Sequence, residues 1–165
     1  MTEVVITPLP DAQLYALEIW SNPAATAKRF EGAAGFALPA MGRSGGSGSL
    51  LLIRYEPTVW LAEGDISAIT ATLNDDGAVT AIGGGLVRLR LSGANWRSLL
   101  MESGVFDAEN PAFSAGCSAA TLIDHVPVRL HVDSDNSCVA YVARSFSESL
   151  LDFWRRAASS LPTFG

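Results

Sequence analysis

The chain has 165 residues, of which 48% are hydrophobic and 17% charged, and its formal net charge is −6. This composition supplies enough apolar residues for a folded core and excludes a disordered acidic tail. Lys28 is the only lysine and the arginines are scattered, so neither nucleic acid nor an anionic membrane surface is an expected partner.

The chain begins with a predicted strand and helix. Residues 14–20 alternate loosely and indicate a strand. A helix is predicted from Pro23, with Asn22 as its cap, and Gly35 is expected to end it in a left-handed conformation.

Residues 39–49 are rich in glycine and serine and predict a flexible loop. Trimming residues 42–48 should therefore leave stability nearly unchanged. Two apolar strands at 50–55 and 58–62 and a helix at 65–73 are predicted next, before the turn signal Asn-Asp-Asp-Gly.

The second part of the chain repeats this alternation. A strand at 86–91 is followed by a helix at 94–102, strands at 119–123, 126–132 and 138–142, and a final helix at 145–159. The two halves share one order of elements. The first half has a strand, Ser-Asn-Pro, a helix and a glycine, and the second has a strand, Ser-Gly-Ala, a helix and a glycine.

This internal repeat predicts the fold class. We expect an α+β protein in which two tandem split β-α-β (ferredoxin-like) units, about 14–80 and 86–158, form one compact domain over residues 1–165. The sheets should be antiparallel, with helices on one side.

Arg88 and Arg90 are two residues apart in a strand and share a face, so their guanidinium groups could hold a carboxylate of a ligand or partner. Solvated sheet-face arginines are the alternative. The aromatic residues near the helices also have two readings, core packing or a partner surface. The candidate interface comprises Trp60, Arg88, Arg90, Tyr141, Arg144, Phe146 and Trp154.

Other chemical motifs have structural explanations. The G-x-S-x-G pattern from Gly42 lies in a glycine-rich loop and lacks the strand-to-helix context of a nucleophile elbow. The acidic run from Asp133 lacks the glycine and glutamate of a calcium loop and predicts a hairpin turn. His125 and His131 share a face by parity, yet they and the two cysteines lack paired metal-ligand spacing. We therefore predict no catalytic residue, no cofactor-binding residue and no metal site.

Cys117 and Cys138 are the only cysteines and form no CxxC pair, and no secretory signal pattern precedes them. The longest purely apolar stretch, 50–53, is far shorter than the ~20 residues that a membrane-spanning helix needs. We expect a cytoplasmic protein that does not interact with a membrane.

Several stretches, in order, resemble the gamma subunit family of heterotetrameric sarcosine oxidase. They are Glu-Pro-Thr-Val-Trp-Leu at 56–61, Leu-Val-Arg-Leu-Arg-Leu-Ser-Gly at 86–93, Gly-Cys-Ser-Ala-Ala-Thr-Leu at 116–122 with His-Val-Pro-Val at 125–128, and Tyr-Val-Ala-Arg-Ser-Phe-Ser-Glu-Ser-Leu at 141–150. The family's aspartate or histidine turn before the arginine strand is replaced here by Gly-Gly-Gly at 83–85.

The resemblance implies a small accessory subunit without catalytic residues, similar in fold to the folate-binding domain of aminomethyltransferases. It implies larger flavin-containing oxidase subunits as partners, with FAD, FMN, NAD and tetrahydrofolate bound there and none on this chain. The complex would oxidise the methyl group of sarcosine or a related N-methyl amine to give glycine and a one-carbon unit. A stand-alone folate-binding protein or one-carbon transferase is the alternative, and self-association of the isolated chain is left open.

Overall fold

The structure, a computed structural model, describes residues 4–161. The chain divides into two units. The first, which we call the amino-terminal unit, is Ala12–Gly84. The second, the carboxyl-terminal unit, consists of the chain from Gly85 onward together with the segment that ends at Asp11. The predicted half 86–158 did not include that segment, and the extent of the domain over residues 1–165 stays a prediction.

The amino-terminal unit is an antiparallel five-stranded sheet with two helices. Its elements are β2 (Leu14–Ile19), α1 (Pro23–Ala34), β3 (Ser44–Ser47), β4 (Leu50–Arg54), β5 (Val59–Gly64), α2 (Ser67–Thr70) and β6 (Gly77–Ala81), where β1 belongs to the other unit. The strand order is β3-β4-β5-β2-β6. One sheet face and the helices share a core that includes Leu17, Phe30, Leu52, Trp60 and Ile69.

Helix α1 begins and ends where the sequence predicts. Pro23 occupies the first turn and Gly35 follows the helix with φ +80°, a conformation that costs glycine little. Asn22 differs from its prediction because its side chain makes no cap hydrogen bond. Its Nδ2 donates instead to the Asp76 carboxylate at 2.8 Å.

The predicted flexible loop at 39–49 is wrong for its second half. Ser44–Ser47 forms strand β3, which pairs with β4 from Ser44↔Ile53 to Ser47↔Leu50. Gly48, at φ +60°, lies in the tight turn between them. The composition suggested flexibility, yet backbone pairing requires no apolar side chains, so even Ser-Gly-Gly-Ser can extend a sheet.

The carboxyl-terminal unit is also a five-stranded antiparallel sheet. Its elements are β1 (Val5–Pro8), β7 (Leu86–Ser92), α3 (Trp96–Met101), β8 (Ser118–Ile123), β9 (Val126–Ser134), β10 (Ser137–Ala143) and α4 (Arg144–Ser160). A 3₁₀ turn at Gly83–Gly85 precedes β7 in the chain. The strand order is β1-β7-β10-β9-β8. Its core contains Leu89, Leu99, Leu130, Leu150 and Trp154.

The two sheets confirm the predicted repeat. In the amino-terminal unit β2 and β4 lie on either side of β5, with α1 in the connection, which is a split β-α-β arrangement. In the carboxyl-terminal unit β7 and β9 lie on either side of β10 in the same way. Each unit adds one edge strand, β3 beside β4 or β8 beside β9, which lies in the chain between the helix and that second strand.

Besides β3, two strands are absent from the prediction, β1 and β6, and they occupy equivalent places in the two sheets. β6 pairs with β2, and β1 pairs with β7 from Val5↔Ser92 to Pro8↔Leu89. The amino-terminal unit thus takes its last strand from the segment after α2, whereas the carboxyl-terminal unit takes it from the start of the chain. Within residues 4–161, no helix is both long enough and apolar enough to cross a membrane.

Candidate functional site

The two arginines of β7 are each bound within the carboxyl-terminal unit. Arg90 Nη2 lies 3.0 Å from an Asp133 carboxylate oxygen, and Ser137 Oγ donates to the other oxygen of Asp133 at 2.6 Å. Arg88 Nη2 donates to the backbone oxygen of Pro10 at 2.6 Å. The two guanidinium groups that were predicted to hold a carboxylate of a ligand or partner therefore already form contacts within this chain. Arg90 binds a carboxylate and Arg88 binds a backbone oxygen.

Two other predicted interface residues, at the start of α4, are exposed. Arg144 pairs with Asp11 at 3.0 Å, and its side chain is 48% exposed. Phe146 is 47% exposed. The contact to Asp11 lies at the surface, where such an ion pair contributes little to stability. Both side chains are thus accessible in this chain.

Three predicted interface residues belong to the interior, so their prediction as an exposed surface is corrected. Trp60 is 5% exposed, Tyr141 2% and Trp154 is fully buried. Trp60 Nε1 donates to the Pro39 backbone oxygen at 3.1 Å, and the Arg54 guanidinium stacks 4.6 Å from its ring centroid. Trp60 and Trp154 belong to the core clusters of their units, as the core-packing alternative predicts. Tyr141 is buried on the other face of β10 from Ala140 and Val142, since successive strand residues point to opposite faces.

The histidines and cysteines do not form one site. His125 lies with Asp124 in the turn between β8 and β9, where both residues have positive φ, 65° and 48°, as in a two-residue hairpin turn. His131 is buried in β9. Among residues 4–161 no group of three or more His, Cys, Asp or Glu side chains could hold a metal ion.

Burial raises the pKa of the Cys138 thiol far above its ordinary value, because the thiolate would be desolvated in the core. The nearby charge of Asp133 acts in the same direction. A protonated thiol is a poor nucleophile, so this arrangement favours a packing role for Cys138.

The acidic segment at the end of β9 is a hairpin turn, as predicted. Asp133 and Ser134 end the strand, Asp135 and Asn136 form the loop, and Ser137 starts β10. The hydroxyls of Ser134 and Ser137 lie 2.7 Å apart, and Ser134 Oγ accepts from the Asn136 N–H at 3.3 Å. These side chains stabilise the turn.

A second acidic turn, before β6, holds a polar cluster in the amino-terminal unit. Asp76 accepts hydrogen bonds from Ser21 Oγ at 2.6 Å, Asn22 Nδ2 at 2.8 Å and Arg29 Nη2 at 2.8 Å. These hydrogen bonds stabilise the carboxylate and lower the pKa of Asp76 from 3.8 to about 2. The bond from Ser21 has the largest effect, followed by those from Asn22 and Arg29. The cluster joins the end of β2, α1 and the turn.

Trp20 lies beside this cluster and is not among the interface residues predicted from the sequence. It is 57% exposed, and its Nε1 donates to the Asp75 backbone oxygen at 3.0 Å. The alternation of residues along this strand indicates that Trp20 is exposed, because Tyr15, Leu17 and Ile19 point to the core face. Trp20 therefore shares its side of the chain with the exposed Glu18.

The amino-terminal unit also has a pocket of about 570 Å³. It lies along the β3–β4 hairpin and the end of β5 and is lined by Gln13, Ser47, Ser49, Glu63, Gly64 and neighbouring residues. At one end of this lining, Gly64 approaches Ser49 so closely that an added Cβ would lie 1.8 Å from the Ser49 oxygen. The pocket contains none of the predicted interface residues.

Comparisons with known proteins agree with this architecture. The structure is similar to that of heterotetrameric sarcosine oxidase from Corynebacterium sp. U-96 in complex with pyrrole 2-carboxylate, with 20% identity, a TM-score of 0.83, and coverage of 98% of this chain and 88% of that chain. It is also similar to glycine cleavage system aminomethyltransferase T from Bartonella henselae, with 16% identity, a TM-score of 0.63, and coverage of 92% and 45%. No curated protein sequence gives a significant match.

At these identities the structural likeness establishes the fold, an aminomethyltransferase-related α+β architecture. The family follows from the sequence itself, which matches the model of the sarcosine oxidase gamma subunit family over residues 22–160. That match includes the whole of every helix and all strands from β3 to β10. The chain therefore belongs to the sarcosine oxidase, gamma subunit family.

Proposed function

We propose that this chain is the accessory gamma-type subunit of a heterotetrameric, sarcosine-oxidase-type flavoenzyme. The match to the family over residues 22–160 carries the proposal. The complex oxidises the methyl group of sarcosine or a related N-methyl amine and yields glycine and a one-carbon unit. The partners are the larger, flavin-containing subunits of the oxidase.

The proposal assigns no catalytic residue to this chain, and the reactive side chains support that assignment. The Cys138 thiol is buried, His125 lies in a hairpin turn and Asp76 is held by three donors. Catalytic groups are expected to converge on a cleft with a poised acid, base or nucleophile. These side chains lie instead in a core, a turn and a helix-start cluster.

The proposal also places FAD, FMN, NAD and tetrahydrofolate on the partner subunits and the assembly in the cytoplasm. Both cysteines of this chain are thiols, which is typical of proteins in a reducing compartment. Arg144 and Phe146 have accessible side chains, so we assign both to the surface that docks the larger subunits. We assign Arg88 and Arg90 to the margin of that surface. Aromatic and arginine side chains are enriched at such interfaces.

Assembly is tested by co-expressing the full chain with the larger subunits of the proposed oxidase. Because an accessory subunit of this kind is a stable component of the complex, we expect co-elution at micromolar concentration and a measurable rate of sarcosine or N-methyl amine oxidation. If the chain elutes separately from an otherwise intact flavoprotein, the proposal fails. The double variant Arg144→Ala, Phe146→Ala should weaken co-elution with little change in Tm, because both side chains are exposed.

The pocket of about 570 Å³ and the aminomethyltransferase-related fold favour one alternative, a stand-alone folate-binding or one-carbon transfer protein. Isothermal titration of the isolated chain with tetrahydrofolate distinguishes the two functions. The accessory-subunit proposal predicts no heat of binding at micromolar concentrations. Micromolar binding by the isolated chain would favour the transferase instead.

A further inference from the structure

Trp20 is held in an exposed position, unlike the other tryptophans. Its side chain is 57% exposed, whereas Trp60, Trp96 and Trp154 are each 5% exposed or less. The indole N–H donates to the Asp75 backbone oxygen at 3.0 Å, and the Trp20 backbone N–H donates to the Asp76 oxygen at 2.9 Å. The ring is therefore ordered before any partner binds, so docking on it would cost little side-chain entropy.

The turn that orients the ring is itself fixed by side-chain contacts. The Asp76 carboxylate binds Ser21, Asn22 and Arg29, which follow Trp20 in the chain. Arg29 Nε also donates to the Thr72 backbone oxygen at 2.8 Å. These contacts connect helix α1 and the residues before it to Thr72 and Asp76, which lie in and before the turn. The backbone that positions Trp20 is therefore held by several hydrogen bonds.

The charge around the ring is negative. Glu18 and Asp75 are both exposed, and neither carboxylate forms an ion pair within residues 4–161. Asp76, by contrast, is paired with Arg29 at 2.8 Å. Glu18 precedes Trp20 by two residues on the same side of the chain, and the indole N–H binds the backbone oxygen of Asp75. The two residues nearest the ring in this arrangement thus carry unpaired carboxylates.

We propose that Trp20, Glu18 and Asp75, the Trp20 surface, dock an arginine-bearing segment of one of the larger oxidase subunits. This inference rests on the proposed function and names a second contact for it. An arginine guanidinium stacks on an indole face and forms hydrogen bonds with carboxylates at its edge, which the planar fork does better than a lysine ammonium. Tryptophan and arginine are also the residues most enriched among those that dominate binding energy.

The electrostatic half of the inference is tested in the isolated full chain by fluorescence quenching. Trp20 is the one exposed tryptophan of four, so it should account for nearly all the quenching by ionic quenchers, and Trp20→Phe should abolish it. Because Glu18 and Asp75 are the acidic neighbours of the ring, the ratio of caesium to iodide quenching should be higher for Trp20 than for free N-acetyltryptophanamide under the same conditions. A ratio equal to or below that of the free compound would overturn the proposed surface.

The docking half is tested with the purified larger subunits. Wild-type Trp20 should become inaccessible to caesium in the complex. Trp20→Ala, and separately Glu18→Lys with Asp75→Lys, should weaken binding about tenfold, the effect of roughly 1.4 kcal/mol. The charge-reversal variant retains every hydrogen bond described for the turn, so it separates docking from folding. Met41→Ala, which alters another exposed apolar residue of the same unit, is the matched control and should bind normally.

The outcomes separate this inference from the proposed function. If wild type fails to bind the larger subunits, the proposed function fails first. If wild type binds and both sets of variants bind within twofold of it, only the Trp20 surface is wrong. If Trp20→Ala converts a self-associated chain to a monomer while heteromeric binding is unchanged, the occupant is a second copy of this chain and the inference is overturned.

Discussion

At the scale of single residues, the Asp76 carboxylate connects segments of the amino-terminal unit that are far apart in the sequence. Its carboxylate accepts from a serine, an asparagine and an arginine that lie more than forty residues earlier in the sequence, with separations of 55, 54 and 47. The sequence indicated the turn through Asn-Asp-Asp-Gly, but nothing in it connected that turn to Ser21. The connection arises because β6 pairs with β2 and brings the two segments together.

The lowered pKa of Asp76 predicts a pH dependence of stability. A carboxyl whose pKa falls on folding stabilises the native state above its unfolded pKa, and that stabilisation is lost as pH falls through the folded value, about 2. The free energy of unfolding of wild type should therefore decrease more steeply between about pH 4 and about pH 2 than that of Asp76→Asn. Urea unfolding at several pH values measures this, with Asp75→Asn as the control that should keep the wild-type slope.

At the scale of elements, periodicity predicted most helices and strands because a buried face imposes a period of 3.6 or 2. Helix α4 was predicted at 145–159 and is Arg144–Ser160, with Leu150 and Trp154 buried. The misses were short or weakly apolar strands, β1, β3 and β6. Their stability comes from backbone pairing with a neighbour, and that pairing leaves little pattern in the strand's own sequence.

Gly64, the last residue of β5, has φ +108° and lies against the turn of the β3–β4 hairpin. A Cβ there would lie 1.8 Å from the Ser49 backbone oxygen, so Gly64→Ala should lower the free energy of unfolding by at least ~3 kcal/mol. Gly32→Ala is the matched control, because Gly32 is an exposed residue within α1 with no atom near its would-be Cβ. It should raise stability by about 0.5–1 kcal/mol, and chemical denaturation of both variants checks the pair.

At the scale of the whole molecule, the segment before Asp11 belongs to the carboxyl-terminal unit although the amino-terminal unit lies between them in sequence. Strand β1 pairs with β7, Val4 is 6% exposed in the same core, and Asp11 pairs with Arg144. The predicted repeat implied that each half would complete its own sheet. The carboxyl-terminal half completes its sheet with a strand from the other end of the chain.

Deleting the chain through Asp11 should therefore destabilise the carboxyl-terminal unit. Burial of Val4 alone contributes about 1.5–3 kcal/mol, and the pairing of β1 with β7 is lost with it. Hydrogen exchange should speed up at the β7 amides and remain as in wild type at those of β2 and β5. Equal acceleration in both sheets would contradict the division described here.

The sequence by itself determined the α+β class, the internal repeat, the places of α1 and α4 and the family, because hydrophobic period, turn chemistry and an ordered set of motifs are local properties. It also showed that histidine, cysteine and acidic motifs lack the spacing of a reactive site. Only the tertiary structure decided which predicted interface residues are exposed, burying Trp60, Tyr141 and Trp154 and leaving Arg144 and Phe146 accessible. Likewise, only strand pairing placed Trp20 beside Asp75, since contacts between residues distant in sequence depend on sheet register, which no local pattern specifies.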